Sequence, residues 1–120
     1  MSNILNLEIE QGSSYTYTFN LLDMLGDPFT LTGYDARLQV RRSYGASSVL
    51  INCTLSNSKL AIVGNAVVLT LTPADTSSIR FAEAESETDE WVYDLEIVSP
   101  LSKVFKAAKG TITIHREVTR

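Results

Sequence analysis

The stretch Trp91-Val92-Tyr93-Asp94-Leu95-Glu96-Ile97 decides the fold class. Trp91, Tyr93, Leu95 and Ile97 fall on one parity, with Val92, Asp94 and Glu96 between them. Strict alternation over this length is the pattern of a half-buried strand, because successive side chains of an extended backbone point to opposite faces.

The same period recurs in both directions along the chain. Upstream, Val67, Leu69 and Leu71 oppose Val68, Thr70 and Thr72, and a Gly64-Asn65 hairpin signal separates them from Leu60 and Ile62. Val49, Ile51, Cys53 and Leu55 share a face, as do Ala36, Leu38 and Val40 against Arg37, Gln39 and Arg41. Tyr15, Tyr17, Phe19 and Leu21 alternate with Thr16, Thr18 and Asn20, and Leu5, Leu7 and Ile9 with Asn6, Glu8 and Glu10. The turn chemistry of Leu25-Gly26-Asp27-Pro28 predicts a hairpin joining the second strand to a short Phe29-Thr30-Leu31 piece. Downstream, Ser99-Pro100-Leu101-Ser102 turns into Lys103-Val104-Phe105, and Gly110-Thr111-Ile112-Thr113-Ile114 closes the set. One helical turn is expected near 73–79, where Thr72 can cap, Pro73 suits the first position and Asp75, three residues after Thr72, makes an imperfect capping box.

These are eight or nine short strands with no stretch long enough at a 3.6-residue period for a helical bundle or a parallel α/β sheet. The expectation is all-β: an antiparallel, immunoglobulin-like β-sandwich forming one domain over residues 1–120, with a small closed barrel second. Two cysteines flanking a core Trp, the antibody hallmark, are not present.

Composition narrows the function classes. With 44% apolar and 20% charged residues among 120, the chain is globular in type. No apolar run approaches the roughly 18 residues of a membrane span, and the first residues lack the pattern of an export signal. Ten Lys and Arg against fourteen Asp and Glu give a net charge of −4. That balance, with only Lys103, Lys106 and Lys109 or Arg41 and Arg42 as small basic groups, argues against nucleic-acid binding. Five acids, Glu83, Glu85, Glu87, Asp89 and Glu90, crowd one eight-residue stretch. It reads as a solvated loop, a calcium-binding run of oxygen ligands, or a patch that docks a basic partner.

Reactive groups are few. His115, the single histidine, shares the outward parity of Thr111 and Thr113 and has no sequence partner for a triad. Cys53 sits on an apolar parity, the setting of an inert thiol. Asn52-Cys53-Thr54 fits a glycosylation pattern, idle without export. The glycines are isolated at turns and cradle no phosphate; Asp94 and Glu96 share a strand face by alternation alone. Tyr34, Tyr44 and Trp91 are the aromatics a glycan-binding module would use, though alternation places Trp91 in the core. The reading is a non-enzyme with no cofactor, no metal and no small-molecule substrate.

The run Leu22-Asp23-Met24-Leu25-Gly26-Asp27-Pro28-Phe29-Thr30-Leu31-Thr32-Gly33-Tyr34, followed by Ala36-Arg37-Leu38-Gln39-Val40-Arg41, resembles the small β-sandwich domains of tailed-bacteriophage virions. In those tail, baseplate, collar and fibre-attachment proteins, a Gly-Asp-Pro turn precedes a Leu-Thr-Gly-aromatic step and a strand of the form Ala-Arg-x-x-Val-Arg. The Gly64-Asn65 hairpin, Leu71 to Thr76, Trp91 to Glu96, Gly110 to Ile114 and Glu117 to Arg120 extend the resemblance along the chain. Two features depart from it: the acidic run Glu83–Glu90 replaces a short glycine-containing turn, and the sequence stops at Arg120 where many relatives continue into fibre-forming segments. The resemblance implies a virion protein made in the bacterial cytoplasm, docking other virion proteins in multiple copies, without nucleic acid or membrane. Glu83, Glu85, Glu87, Asp89, Glu90, Arg41 and Arg42 are the candidate docking residues. A head or neck protein, such as a capsid decoration or completion protein, is the alternative.

Overall fold

The structure, a computed structural model, describes residues 3–21, 26, 30–78 and 87–118. Nine strands appear among them: β1 (Asn3–Ile4), β2 (Leu7–Glu10), β3 (Tyr15–Asn20), β4 (Asp35–Arg41), β5 (Ile51–Thr54), β6 (Leu60–Val63), β7 (Ala66–Leu71), β8 (Thr88–Val98) and β9 (Val104–His115). One short helix among the described residues, α1 (Pro73–Ser77), lies between β7 and β8.

The strands form two sheets. The larger runs β1-β9-β8-β4-β5, with β2 following β1 onto β9; the smaller runs β3-β7-β6. All pairings are antiparallel except those of β1 and β2, which lie parallel to β9. This distribution of consecutive strands between two sheets is the immunoglobulin-like β-sandwich that the alternation predicts. The apolar parities meet between the layers: Leu7, Ile9, Leu38, Val40, Trp91, Tyr93, Leu95, Ile97, Ile112 and Ile114 from one sheet face Phe19, Leu60, Val67, Leu69 and Leu71 from the other.

Register bears on two local readings. The hairpin expected between the second strand and Phe29-Thr30-Leu31 falls mostly outside the described residues; β3 itself pairs along its whole length with β7, from Tyr15 opposite Leu71 to Asn20 opposite Ala66. Thr30 and Leu31 are not in a strand, and residues 22–25 and 27–29 lie outside the described residues. Leu21 and Leu31 are both buried, so the connection anchors both its ends in the core as it crosses between sheets. Second, the two closing segments are one strand. A bulge opposite Leu95 and Glu96 leaves Ala107 as the extra residue, and Ala107 and Ala108 are both buried. The bulge shifts the alternation by one residue, and two short runs of opposite phase therefore belong to a single strand.

Side chains tie the elements together. The capping box of α1 is complete: Asp75 N–H donates to Thr72 Oγ1 (3.1 Å) and Thr72 N–H to Asp75 Oδ2 (2.9 Å). Buried Thr76 accepts from Gly12 N–H (2.9 Å) through its hydroxyl oxygen, which also lies 2.9 Å from Ser13 O, fixing the β2–β3 turn to the helix. Tyr93 Oη donates to Leu5 O (2.6 Å), and Thr111 N–H to Asn6 Oδ1 (3.1 Å), so the irregular step between β1 and β2 is fastened to β8 and β9.

Candidate functional site

The polar parity of the larger sheet points outward, and register decides which charges meet there. Reading across the strands, Glu10, His115 and Thr88 form one row, and Glu8, Thr113 and Glu90 the next. Thr111, Val92 and Arg41 follow, then Lys109, Asp94, Gln39 and Asn52, then Lys106, Glu96, Arg37 and Thr54. The face is therefore acidic toward the start of β8 and carries its lysines and arginines toward the other end.

The bulge builds the basic end. Lys106 and Lys109 are three residues apart, a spacing that puts them on opposite faces of a regular strand. With Ala107 bulged, both point outward, opposite Glu96 and Asp94. Lys106 Nζ pairs with Glu96 and lies 3.2 Å from Asp94 Oδ2, while Arg37 Nε lies 2.6 Å from the other Glu96 oxygen. The Lys106 hydrogen bond, opposed by partial burial and reinforced by Arg37, lowers the Glu96 carboxyl below its ordinary range. Glu96 in turn raises the Lys106 ammonium. Pairs this exposed stabilise the fold by about 0–1 kcal/mol each, so their main effect is to order the surface.

A depression of about 420 Å³ lies on this face, lined among others by Arg37, Gln39, Arg41, Tyr44, Asp94 and Lys106. Arg41 is held in place by Ala46 O (2.7 Å) and Gln39 Oε1 (3.0 Å), and Tyr44 stands exposed at its rim. Charged side chains share its lining with Val92, Tyr93 and the exposed Tyr44.

The candidate docking residues divide. Arg42 and Asp89 come together, Nη1 to Oδ2 at 3.0 Å, and Asp89 also accepts from Trp91 Nε1 at 3.1 Å. The Arg42 guanidinium lies 6.0 Å from the Trp91 ring centroid. Asp89 thus anchors the end of β8. Glu87 and Glu90 are exposed; Glu90 stands on the sheet face, and Glu87 O accepts from Arg116 N–H at 2.7 Å. Thr88–Glu90 belong to β8 rather than to a loop, and Glu83 and Glu85 lie outside the described residues. Arg41 is on the outer face near the depression.

Each reactive group has a structural setting. Cys53 is fully buried, and that burial pushes its thiol up to about 12. His115 Nε2 lies 2.9 Å from Glu8 Oε1 on the outer surface. Trp91 is buried and Tyr34 packs against the core, leaving Tyr44 as the exposed member of the aromatic trio. The cluster that alternation missed is Arg37-Glu96-Lys106-Asp94; its one signal was the break in parity at Ala107-Ala108.

Fold and surface together define an immunoglobulin-like β-sandwich with a charge-polarised outer face. No family profile and no curated protein sequence matches this chain.

Proposed function

We propose that this chain is a non-enzymatic structural protein of a tailed-phage virion, an adaptor of the tail, baseplate or collar that docks fibres or neighbouring tail proteins. Sandwiches of this kind serve many functions, so the motif run from Leu22 to Arg41, with its later landmarks to Arg120, carries the reading. The surface supports its docking half. The groups that chemistry would call on are engaged structurally, Cys53 in the core, His115 with Glu8, and Asp94 and Glu96 with Lys106. The outer sheet face offers ordered charges of both signs, the kind of surface that sets partner orientation and encounter rate.

Electron microscopy of particles assembled without the gene tests the proposal. Missing fibres or an incomplete tail are expected. Complete, infective particles refute it.

A further inference from the structure

Strand β3 ends the smaller sheet, and its outer edge meets no strand among the described residues. The phase of the ladder shows which backbone groups face that edge. Leu21 N–H donates to Asn65 O (3.0 Å), so Leu21 and Asn65 are a hydrogen-bonded pair. Hydrogen-bonded pairs alternate in an antiparallel ladder. Tyr15, Tyr17 and Phe19 therefore exchange their bonds with Leu71, Leu69 and Val67, in the register observed. Thr16, Thr18 and Asn20 aim their N–H and C=O groups away from β7, and all three residues are exposed.

Open edges are ordinarily blunted by shortness, charge, proline or a bulge. The β2 edge carries Glu8 and Glu10, and the β5 and β6 edges are four residues long. β3 has six residues, Tyr-Thr-Tyr-Thr-Phe-Asn, with no charge and no proline.

We propose that β3 is a self-docking edge, pairing antiparallel with β3 of a second copy about a two-fold axis through Thr18. The inference rests on the reading of the chain as a docking module but not on its origin in a virion. The register is set by the chain itself. Two copies of one sheet share a face only when paired residues have the same parity, and the outward groups must meet outward groups. Thr18 opposite the partner's Thr18, with Thr16 opposite the partner's Asn20, satisfies both conditions and overlaps residues 15–21 completely. On the core side it sets half-buried Tyr17 beside the partner's Phe19 and Tyr15 beside the partner's Leu21, extending the aromatic contact already present between Tyr17 and Phe19 at 4.8 Å. On the outer side it pairs threonines, and no charges oppose each other within the overlap. Any extended strand can meet the backbone groups; the uncharged, matching side chains favour a second copy. One seam of this size belongs to the weak, concentration-dependent class of interface, and an assembly that holds copies close makes it count.

Sedimentation of the purified chain over a concentration series, with cysteine variants, tests this. A monomer–dimer equilibrium is expected. Directly opposed hydrogen-bonded residues sit about 5.5 Å apart at Cα, within disulfide reach. Thr18→Cys should therefore crosslink into dimers about tenfold or more faster than Thr16→Cys, which faces the partner's Asn20 instead. Thr18→Pro removes an N–H that β7 does not use, and Thr18→Lys sets two cations face to face; both should yield monomers that keep the β-sheet circular dichroism of the wild type. A wild-type chain that stays monomeric overturns the proposal. So does a dimer that neither variant weakens, or equal crosslinking at positions 16 and 18. None of those results bears on the particle experiment, so the two readings fail separately.

Discussion

Gly110→Ala is the most informative single substitution. Replacing glycine by alanine inside a strand ordinarily stabilises by about 0.5–1 kcal/mol, because glycine loses more backbone freedom on folding. At position 110 the opposite sign is expected. A Cβ there would lie 2.2 Å from Leu5 O and 2.8 Å from Leu5 C, both backbone atoms that no rotamer change can move. The Leu5 segment must retreat by about 1 Å to reach ordinary contact. That retreat stretches the 2.6 Å bond from Tyr93 Oη to Leu5 O beyond hydrogen-bonding range. Leaving a half-buried hydroxyl and carbonyl unpaired costs about 1–3 kcal/mol. If β1 and β2 detach, the burial of Leu7 and Ile9 is lost as well, about 2 kcal/mol each. The expected destabilisation is thus about 1–3 kcal/mol if only that bond is lost and about 5–7 kcal/mol if β1 and β2 detach, set against a typical net stability of about 5–15. Urea unfolding followed by Trp91 fluorescence measures it, and hydrogen exchange at the Leu5 N–H, which bonds Lys109 O at 2.9 Å, locates it. Gly45→Ala, where a Cβ meets open space, is the control and should be neutral. A Gly110→Ala chain as stable as wild type, with the Leu5 amide equally protected, would refute the argument that this glycine lets the Leu5 backbone pack against β9.

Asp75 joins the α1 cap to Lys59, whose Nζ lies 2.7 Å from both carboxylate oxygens. Burial raises its pKa, but the hydrogen bonds of Lys59 and Thr72 outweigh that and lower it. A depressed folded pKa contributes stability above the ordinary carboxylate range, lost as pH falls through the folded value. Asp75→Asn should therefore cost about 1 kcal/mol near pH 7, with the gap to wild type closing near pH 2 in urea midpoints. Burial, then Tyr17, raises the Tyr15 phenol to about 12, and burial raises Tyr93 further. Raised phenols contribute stability that is lost as pH climbs through their folded values, so in an absorbance titration these two should ionise last, together with alkaline unfolding. Cys53 should react with a thiol reagent only as fast as the chain opens, and its rate should rise with urea in step with unfolding.

Sheet membership and the direction of strand pairing separate what was legible in the residues from what was not. Alternation around Trp91, Leu69, Leu38 and Phe19 identified the strands and their buried faces, because one sheet face must leave water whatever its neighbours are. Thr72-Pro73 and Asp75 announced α1 because a cap is made by residues three apart in the chain. Neither kind of signal reaches across the molecule. That β3 would pair with β7, or that β2 would lie parallel on β9, depends on which distant strand offers a matching apolar face. Arg42 with Asp89, His115 with Glu8 and the Lys106 network were beyond reach for the same reason. Their distances come from register, and at β9 from one extra alanine.

By itself, then, the order of residues determined an all-β sandwich, its core parities and its helical cap, since those follow from local periodicity and short-range hydrogen bonding. Only the tertiary structure decided which charges share a face and which strands lie at the sheet edges. Both are set by pairings between residues far apart in the chain, and a local pattern carries no information about them.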